Sequence, residues 1–168
     1  LSSQGTMANC YNVGSLINLA ADHSYYIRNA AGLGTLCATD KGQLGLSSGP
    51  QADMGNALNN WLILHDERYA AYYLYNVGAG KFLNPTAPGS LSPEPQQLQA
   101  RVFGKNMYFN VLNTKNLIGV NPDTEGVLSI QNGANDYSLF TVFDNLHMQQ
   151  PAAQADSLYA ITEPMDKA

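Results

Sequence analysis

Charge is scarce in this chain. Asp, Glu, Lys and Arg make up 12% of its 168 residues, about half of the ~25% usual for a soluble domain. Cations are scarcer than anions, with 8 Lys and Arg against 13 Asp and Glu and a net charge of -5. No cluster of cations exists to neutralise phosphates or hold an anionic bilayer, which argues against nucleic-acid and membrane-surface partners. No apolar run approaches the ~18 residues of a membrane span, so membrane insertion is not expected. Cysteine is limited to Cys10 and Cys37, too few for a disulfide framework and without metal-ligand spacing. One bridge and two separate thiols both remain open readings. No HExxH or CxxC occurs, and Gly78-Ala79-Gly80 lacks the rest of a nucleotide loop. The three histidines, His23, His65 and His147, are far apart. No metal, cofactor or catalytic group is therefore assigned. Asp22-His23-Ser24 has triad residue types, but adjacent residues rarely face one another. His65-Asp66-Glu67 reads as a solvated connection. A small hydrolase is thus the weakest functional reading.

What the chain does have is amide and aromatic side chains on a core-forming background. Hydrophobic residues reach 45%, enough for one domain with a real core. The sequence contains 17 Asn, 10 Gln and 10 Tyr. Such a polar but uncharged surface suits neutral polar ligands such as sugars, and it equally suits an extracellular protein that only needs solubility. The polar start at Leu1 reads as a mature end or a cut, and the expected location is secreted or cell-surface.

The chain repeats itself. Tyr25-Tyr26-Ile27-Arg28-Asn29, Tyr72-Tyr73-Leu74-Tyr75-Asn76 and Phe109-Asn110-Val111-Leu112-Asn113 share an aromatic-x-aliphatic-x-Asn pattern. Thirteen residues beyond each Asn stands Gly42, Gly89 or Gly126, and two further Leu44, Leu91 or Leu128. Leu36, Leu83 and Ile118 fall between at similar offsets. The opening segments alternate with period two, as half-buried strands do. Gly- and Asn-rich turns follow, then a second and third strand, and a late apolar strand closes each unit: Trp61 to Leu64, Ala100 to Phe103, and Leu139 to Phe143. Each Tyr pair is expected to place one ring in the core and one outward. The three origin Asn residues are expected to hold turns. Three units of four strands cannot each bury their own apolar face, so they pack around a shared axis.

The fold class expected is all-β: three four-stranded quasi-repeats with short N- and C-terminal extensions. The pattern resembles the β-trefoil, and within it the ricin-type lectin family. The resemblance covers roughly Ser24 to Asn145. It rests on Asn76 to Leu83, on the weaker copy Asn29 to Leu36, and on the late strands Trp61-Leu62-Ile63-Leu64 and Phe140-Thr141-Val142-Phe143. The Gln-x-Trp of that family's late strand is absent from all three units, and only Asn60-Trp61 resembles it. The expected organisation is an N-terminal extension over 1–23, the trefoil over 24–145, and a C-terminal linker and strand over 146–168. In that last segment His147 to Asp156 reads as a linker and Leu158 to Ile161 as a strand.

The resemblance implies shallow sugar pockets, one per unit at most, each with an Asp after the second strand, a stacking ring and an amide. Asp40 fits the Asp position in unit one. Asp123 takes it in unit three, with Gln131, Asn132 and Tyr137 as partners, whereas unit two has Ala87 there. The function so implied is a non-catalytic, lectin-like module that binds a glycan or polysaccharide. It would be secreted, joined to other domains of a larger glycan-processing protein, and without a cofactor. The alternative is a protein-interaction or structural trefoil with no sugar site, in which Asp123 merely forms the Pro122-Asp123-Thr124 turn.

Overall fold

A computed structural model of the chain describes residues 16–18, 24–47, 55–66, 68–87, 89–123, 128–144 and 147–151. Its strands are β1 (Leu16–Asn18), β2 (Tyr25–Asn29), β3 (Thr35–Ala38), β4 (Leu44–Ser47), β5 (Trp61–Asp66), β6 (Ala71–Asn76), β7 (Lys81–Leu83), β8 (Leu91–Ser92), β9 (Leu98–Phe103), β10 (Asn106–Val111), β11 (Asn116–Val120), β12 (Leu128–Asn132), β13 (Phe140–Asp144) and β14 (His147–Pro151). One turn of 3-10 helix, Ala57–Asn59, precedes β5. Strands β2 to β13 fall into three successive groups of four, the units that the repeat predicts.

Six of them close a barrel. Strand β2 pairs β5, β5 pairs β6, β6 pairs β9, β9 pairs β10, β10 pairs β13, and β13 returns to β2, all antiparallel. The remaining hairpins, β3–β4, β7–β8 and β11–β12, hang from β2, β6 and β10. The registers are threefold: Tyr25 opposes Trp61, Tyr72 opposes Leu98, and Met107 opposes Phe140. Ile27, Leu74 and Phe109 form the next layer, facing Val142, Ile63 and Ala100. All twelve of these side chains are buried in one cluster with Leu36, Leu83 and Ile118. Burying each large apolar side chain stabilises the fold by roughly 1.5–3 kcal/mol relative to exposure. This arrangement is a β-trefoil.

Registers correct the alignment of the third copy. Asn29 and Asn76 end their strands opposite Phe140 and Trp61. The residue in the same place opposite Leu98 is Val111, not Asn113. Asn113 lies two residues on, exposed, with a φ of 62°. Asn tolerates that left-handed conformation better than most residues, so its identity answers to a turn rather than to the strand end. The same slip affects the Leu set. Leu91 opposes Leu83, whereas Leu46 opposes Leu36 and Ile130 opposes Ile118. Leu44 is buried but belongs one step further along a longer hairpin. Leu91 is only partly buried against the core, and the side chain of Leu128 lies outside the described residues. Equal offsets in sequence therefore misled where the hairpins differ in length.

Both rings of each Tyr pair are buried: Tyr25, Tyr26, Tyr72 and Tyr73 are all at most 4% exposed. Tyr73 and Tyr75 lie on the outer side of the barrel in a second cluster with Leu62, Leu64 and Phe82, and Tyr26 sits beside Phe143. An outer apolar layer thus covers rings that alternation alone would leave in solvent. His65 and Asp66 are also buried, inside β5 rather than in a solvated connection. Asp66 accepts from the Arg68 guanidinium at 3.0 and 3.1 Å and from the Tyr73 hydroxyl at 3.0 Å. Burial, and then this carboxylate, push the Tyr73 phenol up to about 12.

The flanks add strands to this body. Strand β1 pairs β5, and β14 pairs β13, so the segment expected as a linker begins as a strand. Leu158 to Ile161, Glu67 and Cys10 lie outside the described residues. Cys37 in β3 is half-buried, and burial raises its thiol pKa.

Candidate functional site

The five residues expected to hold a sugar are distributed over separate places. Asp40 is exposed after β3. Asp123 is exposed in the turn beyond the far end of the β11–β12 hairpin, its N–H donating to Asn121 Oδ1 at 2.9 Å. Gln131 and Asn132 pair with Leu117 and Asn116 near the hairpin's other end. Three to four strand residues, roughly 10–13 Å at ~3.3 Å each, separate Asp123's end of the hairpin from theirs. Gln131 donates to Ser129 Oγ at 2.8 Å and lies over Gly119, where no side chain stands in its way. The Tyr137 carbonyl approaches the same glycine. Tyr137 keeps 38% of its surface exposed. The Gln131 side chain and the Tyr137 backbone carbonyl thus both face Gly119, and Asp123 lies at the other end of the hairpin.

A cleft of about 440 Å3 lies elsewhere, between the outer face of β9 and β10 and the near end of unit three's hairpin. Alternation builds its floor. Leu98 and Ala100 of β9 and Met107 and Phe109 of β10 point into the core, which turns Gln99, Arg101, Phe103, Tyr108 and Asn110 outward. Arg101 stands directly opposite Tyr108, and Gln99 opposite Asn110. Gly104, with a φ of 64°, allows the two-residue turn that fixes this register. Phe103 is 54% exposed and Tyr108 is half-buried, so the floor presents two aromatic rings. The far wall comes from Thr114, Lys115, Leu117, Gly133 and Ala134.

Part-buried and exposed hydrogen bonds link the floor of the cleft to its wall. Asn110 Nδ2 donates to Gln99 Oε1 at 2.7 Å and to the Thr114 carbonyl at 3.0 Å. The Thr114 hydroxyl donates to the Val111 carbonyl at 2.8 Å and accepts from the Asn116 N–H at 3.1 Å. With its oxygen engaged, Gln99 keeps its Nε2 donors for a ligand. The volume falls in the ~300–1,000 Å3 range of small-molecule sites. Ring faces with amide and cationic donors at their edge can stack on the apolar face of a sugar while binding its oxygens.

A second cleft of about 520 Å3 is lined by Tyr73, Glu94 to Gln97, Val111 and Leu112. Among the described residues that line it the one aromatic, Tyr73, is 4% exposed and offers no ring face for stacking. None of the five sequence-derived residues lines either cleft. The signal for the first cleft was the alternation Gln99-x-Arg101-x-Phe103 followed by Tyr108-x-Asn110. It becomes readable only once the turn at Gly104 sets the two strands in register.

No protein-family model matches the chain, and neither does any curated protein sequence. Solved structures do. The Rhizoctonia solani agglutinin superposes with a TM-score of 0.60 at 14% identity, over 72% of this chain and 94% of its own. A ricin B-like lectin of Macrolepiota procera, determined with lactose, gives 0.59 at 12% identity, over 71% and 93%. A GlcNAcα1-4Gal-releasing endo-β-galactosidase of Clostridium perfringens gives 0.61 at 19% identity, over 73% of this chain and 32% of its own length. These similarities show that the chain has the β-trefoil fold of ricin B-like lectins.

Proposed function

We propose that the protein is a non-catalytic carbohydrate-binding module whose site is the cleft on β9 and β10. The observation that carries this reading is the cleft itself. Two partly exposed aromatic rings, Phe103 and Tyr108, stand beside the amide of Gln99 in a preformed hollow of sugar size. The fold supports it, since trefoils of this kind include an agglutinin and a lectin determined with lactose. The deep carboxylate is not available for acid–base work, because Asp66 is buried and held by Arg68 and Tyr73. Glycoside hydrolysis needs two carboxyl groups flanking the scissile bond, and among the described residues no Asp or Glu lines the cleft.

The wider setting belongs to the same proposal. The module is secreted and serves a larger glycan-processing protein; what supports the second part is that it matches a stretch covering 32% of an endo-β-galactosidase chain. The same proposal keeps Gln131 with Tyr137, whose ring is 38% exposed, as a second candidate position for a sugar. The test is a glycan array probed with the labelled chain and with Tyr108→Ala. Binding of a family of glycans by the wild type, lost in the variant, is the expected result. Retained binding in Tyr108→Ala moves the site to Gln131 and Tyr137 or to Asp40. No binding to any glycan favours the protein-interaction trefoil.

A further inference from the structure

We propose that Leu117 is the residue that holds the cleft open, and that a bound sugar ring takes the place which the Phe82 ring fills in unit two; the inference rests on the carbohydrate reading above. The threefold registers allow the two units to be compared position by position. In unit three Gln99 opposes Asn110, Arg101 opposes Tyr108, and Leu117 of the hairpin opposes Asn110. In unit two Leu62 opposes Tyr75, Leu64 opposes Tyr73, and Phe82 of the hairpin opposes Tyr75. Leu62, Leu64, Tyr73, Tyr75 and Phe82 form the outer apolar cluster on β5 and β6. That cluster and the cleft on β9 and β10 are therefore the same place in successive units, closed in one and open in the other.

Two rings make the difference. Gln99 and Arg101 are at least as long as Leu62 and Leu64, and Tyr108 matches Tyr73. Asn110 stands in place of Tyr75, and Leu117 in place of Phe82. The Phe82 ring is fully buried, 6.2 Å from the Tyr73 ring and 5.1 Å from the Tyr75 ring, separations at which aromatic rings attract. Tyr73 beneath it is 4% exposed, whereas Tyr108 is only half-buried and lines a hollow of about 440 Å3. The two replacements differ in role. Asn110 is tied to Gln99 Oε1 and to the Thr114 carbonyl, so it holds the floor to the turn. Leu117 contributes only apolar surface to the cleft wall, and its side chain ends short of where a phenyl ring would reach. A pyranose ring is close to a phenyl ring in size, and its apolar face suits an aromatic neighbour. The contacts that Phe82 makes in unit two are thus left in unit three for a ligand ring to make.

NMR titration of the full chain tests this in wild type, Leu117→Phe and Leu117→Met. The probes are lactose, the best-binding glycan of an array, and phenol, whose ring has the size of the Phe82 side chain. In wild type the bound sugar is expected to show nuclear Overhauser contacts from its ring protons to the Leu117 methyl groups and the Tyr108 ring, and phenol to shift the same residues. In Leu117→Phe the introduced ring is expected to contact Tyr108, and the probes to bind about tenfold more weakly or worse, with the melting temperature within a few degrees of wild type. Leu117→Met, which nearly conserves volume, is expected to keep each affinity within about threefold. Sugar contacts in the cleft that miss Leu117, or undiminished binding of sugar and phenol in a folded Leu117→Phe, overturn the inference and leave the carbohydrate reading standing. If Leu117→Phe does not fold, the wild-type contacts decide alone. Phenol excluded by Leu117→Phe while no glycan binds wild type overturns the sugar occupant together with the carbohydrate reading, and supports Leu117 as the residue that holds the hollow open. Wild type that binds neither phenol nor any glycan overturns both.

Discussion

Replacing Asn76 with Ala is expected to destabilise the fold by about 2–4 kcal/mol. The side chain is fully buried. Its Oδ1 accepts from the Ala79 N–H at 2.9 Å and its Nδ2 donates to the Leu58 carbonyl at 2.9 Å. The loop it grips has no slack: a Cβ on Gly78 would stand 2.7 Å from the Leu58 nitrogen, so the backbone cannot close over the gap. Each backbone group left buried without a partner costs roughly 1–3 kcal/mol. Asn29 does the same work in unit one, accepting from the Ala31 N–H at 3.0 Å and donating to the Tyr137 and Leu139 carbonyls at 3.2 and 3.5 Å. Those longer bonds predict a smaller loss, about 1–2 kcal/mol. Asn113 is different in kind. Asn113→Ala loses only the left-handed preference, about 1 kcal/mol, and Asn113→Gly is expected to be neutral. Urea unfolding monitored by the single tryptophan, Trp61, measures all four; at about 1–3 kcal/mol per molar, Asn76→Ala shifts the midpoint by about 1–2 M. Equal losses in the three Ala variants, with Asn113→Gly as harmful as Asn113→Ala, would refute the register-based assignment and restore Asn113 as the third copy.

Three further outcomes follow from the same structure. Leu74→Ala, at a fully buried site of the threefold layer, is expected to cost about 2–5 kcal/mol by calorimetry or denaturant titration, whereas Ile130→Ala, at 38% exposure, stays within about 1 kcal/mol. Tyr73 ionises at about 12 in the fold against 10 unfolded, so its stabilising contribution is complete below pH 10 and lost as pH rises towards 12. Tyr73→Phe is expected to flatten the fall in stability over that window, with tyrosinate absorbance as the direct check. Phe103→Ala is expected to weaken glycan binding about tenfold while leaving the melting temperature within a few degrees, because the ring is mostly exposed and its loss removes stacking area rather than core.

The sequence revealed the fold through local pattern. Alternation in Tyr25 to Asn29 and Tyr72 to Asn76 marked the strands, and the recurrence of Leu36, Leu83 and Ile118 marked the threefold core. The third copy drifted because Asn113 matches the motif in type while Val111 matches it in register, and pairing register is a tertiary fact that a gap-free count does not contain. The burial of Tyr73 was invisible for a similar reason. Strand alternation says which side a ring points to, but not that Phe82, from another strand, covers that side. The site was harder still. Asp40 and Asp123 hold the motif's position after a strand, yet the cleft is assembled by cross-strand opposition of Arg101 with Tyr108 and by a wall from the β10–β11 turn, Leu117 and the loop after β12. Neither neighbour is adjacent in sequence to the residues that the motif selects.

The central claim is that sugars bind on β9 and β10. An amide NMR titration of the full chain with lactose, run alongside the glycan that binds best on an array, tests it most directly. The account predicts shifts concentrated on Gln99 to Phe103, Tyr108, Thr114 to Leu117 and the Gly133-Ala134 loop, reduced in Tyr108→Ala. Shifts confined to the turn at Asp123 or to Asp40, or no shift at millimolar ligand with either saccharide, would contradict it.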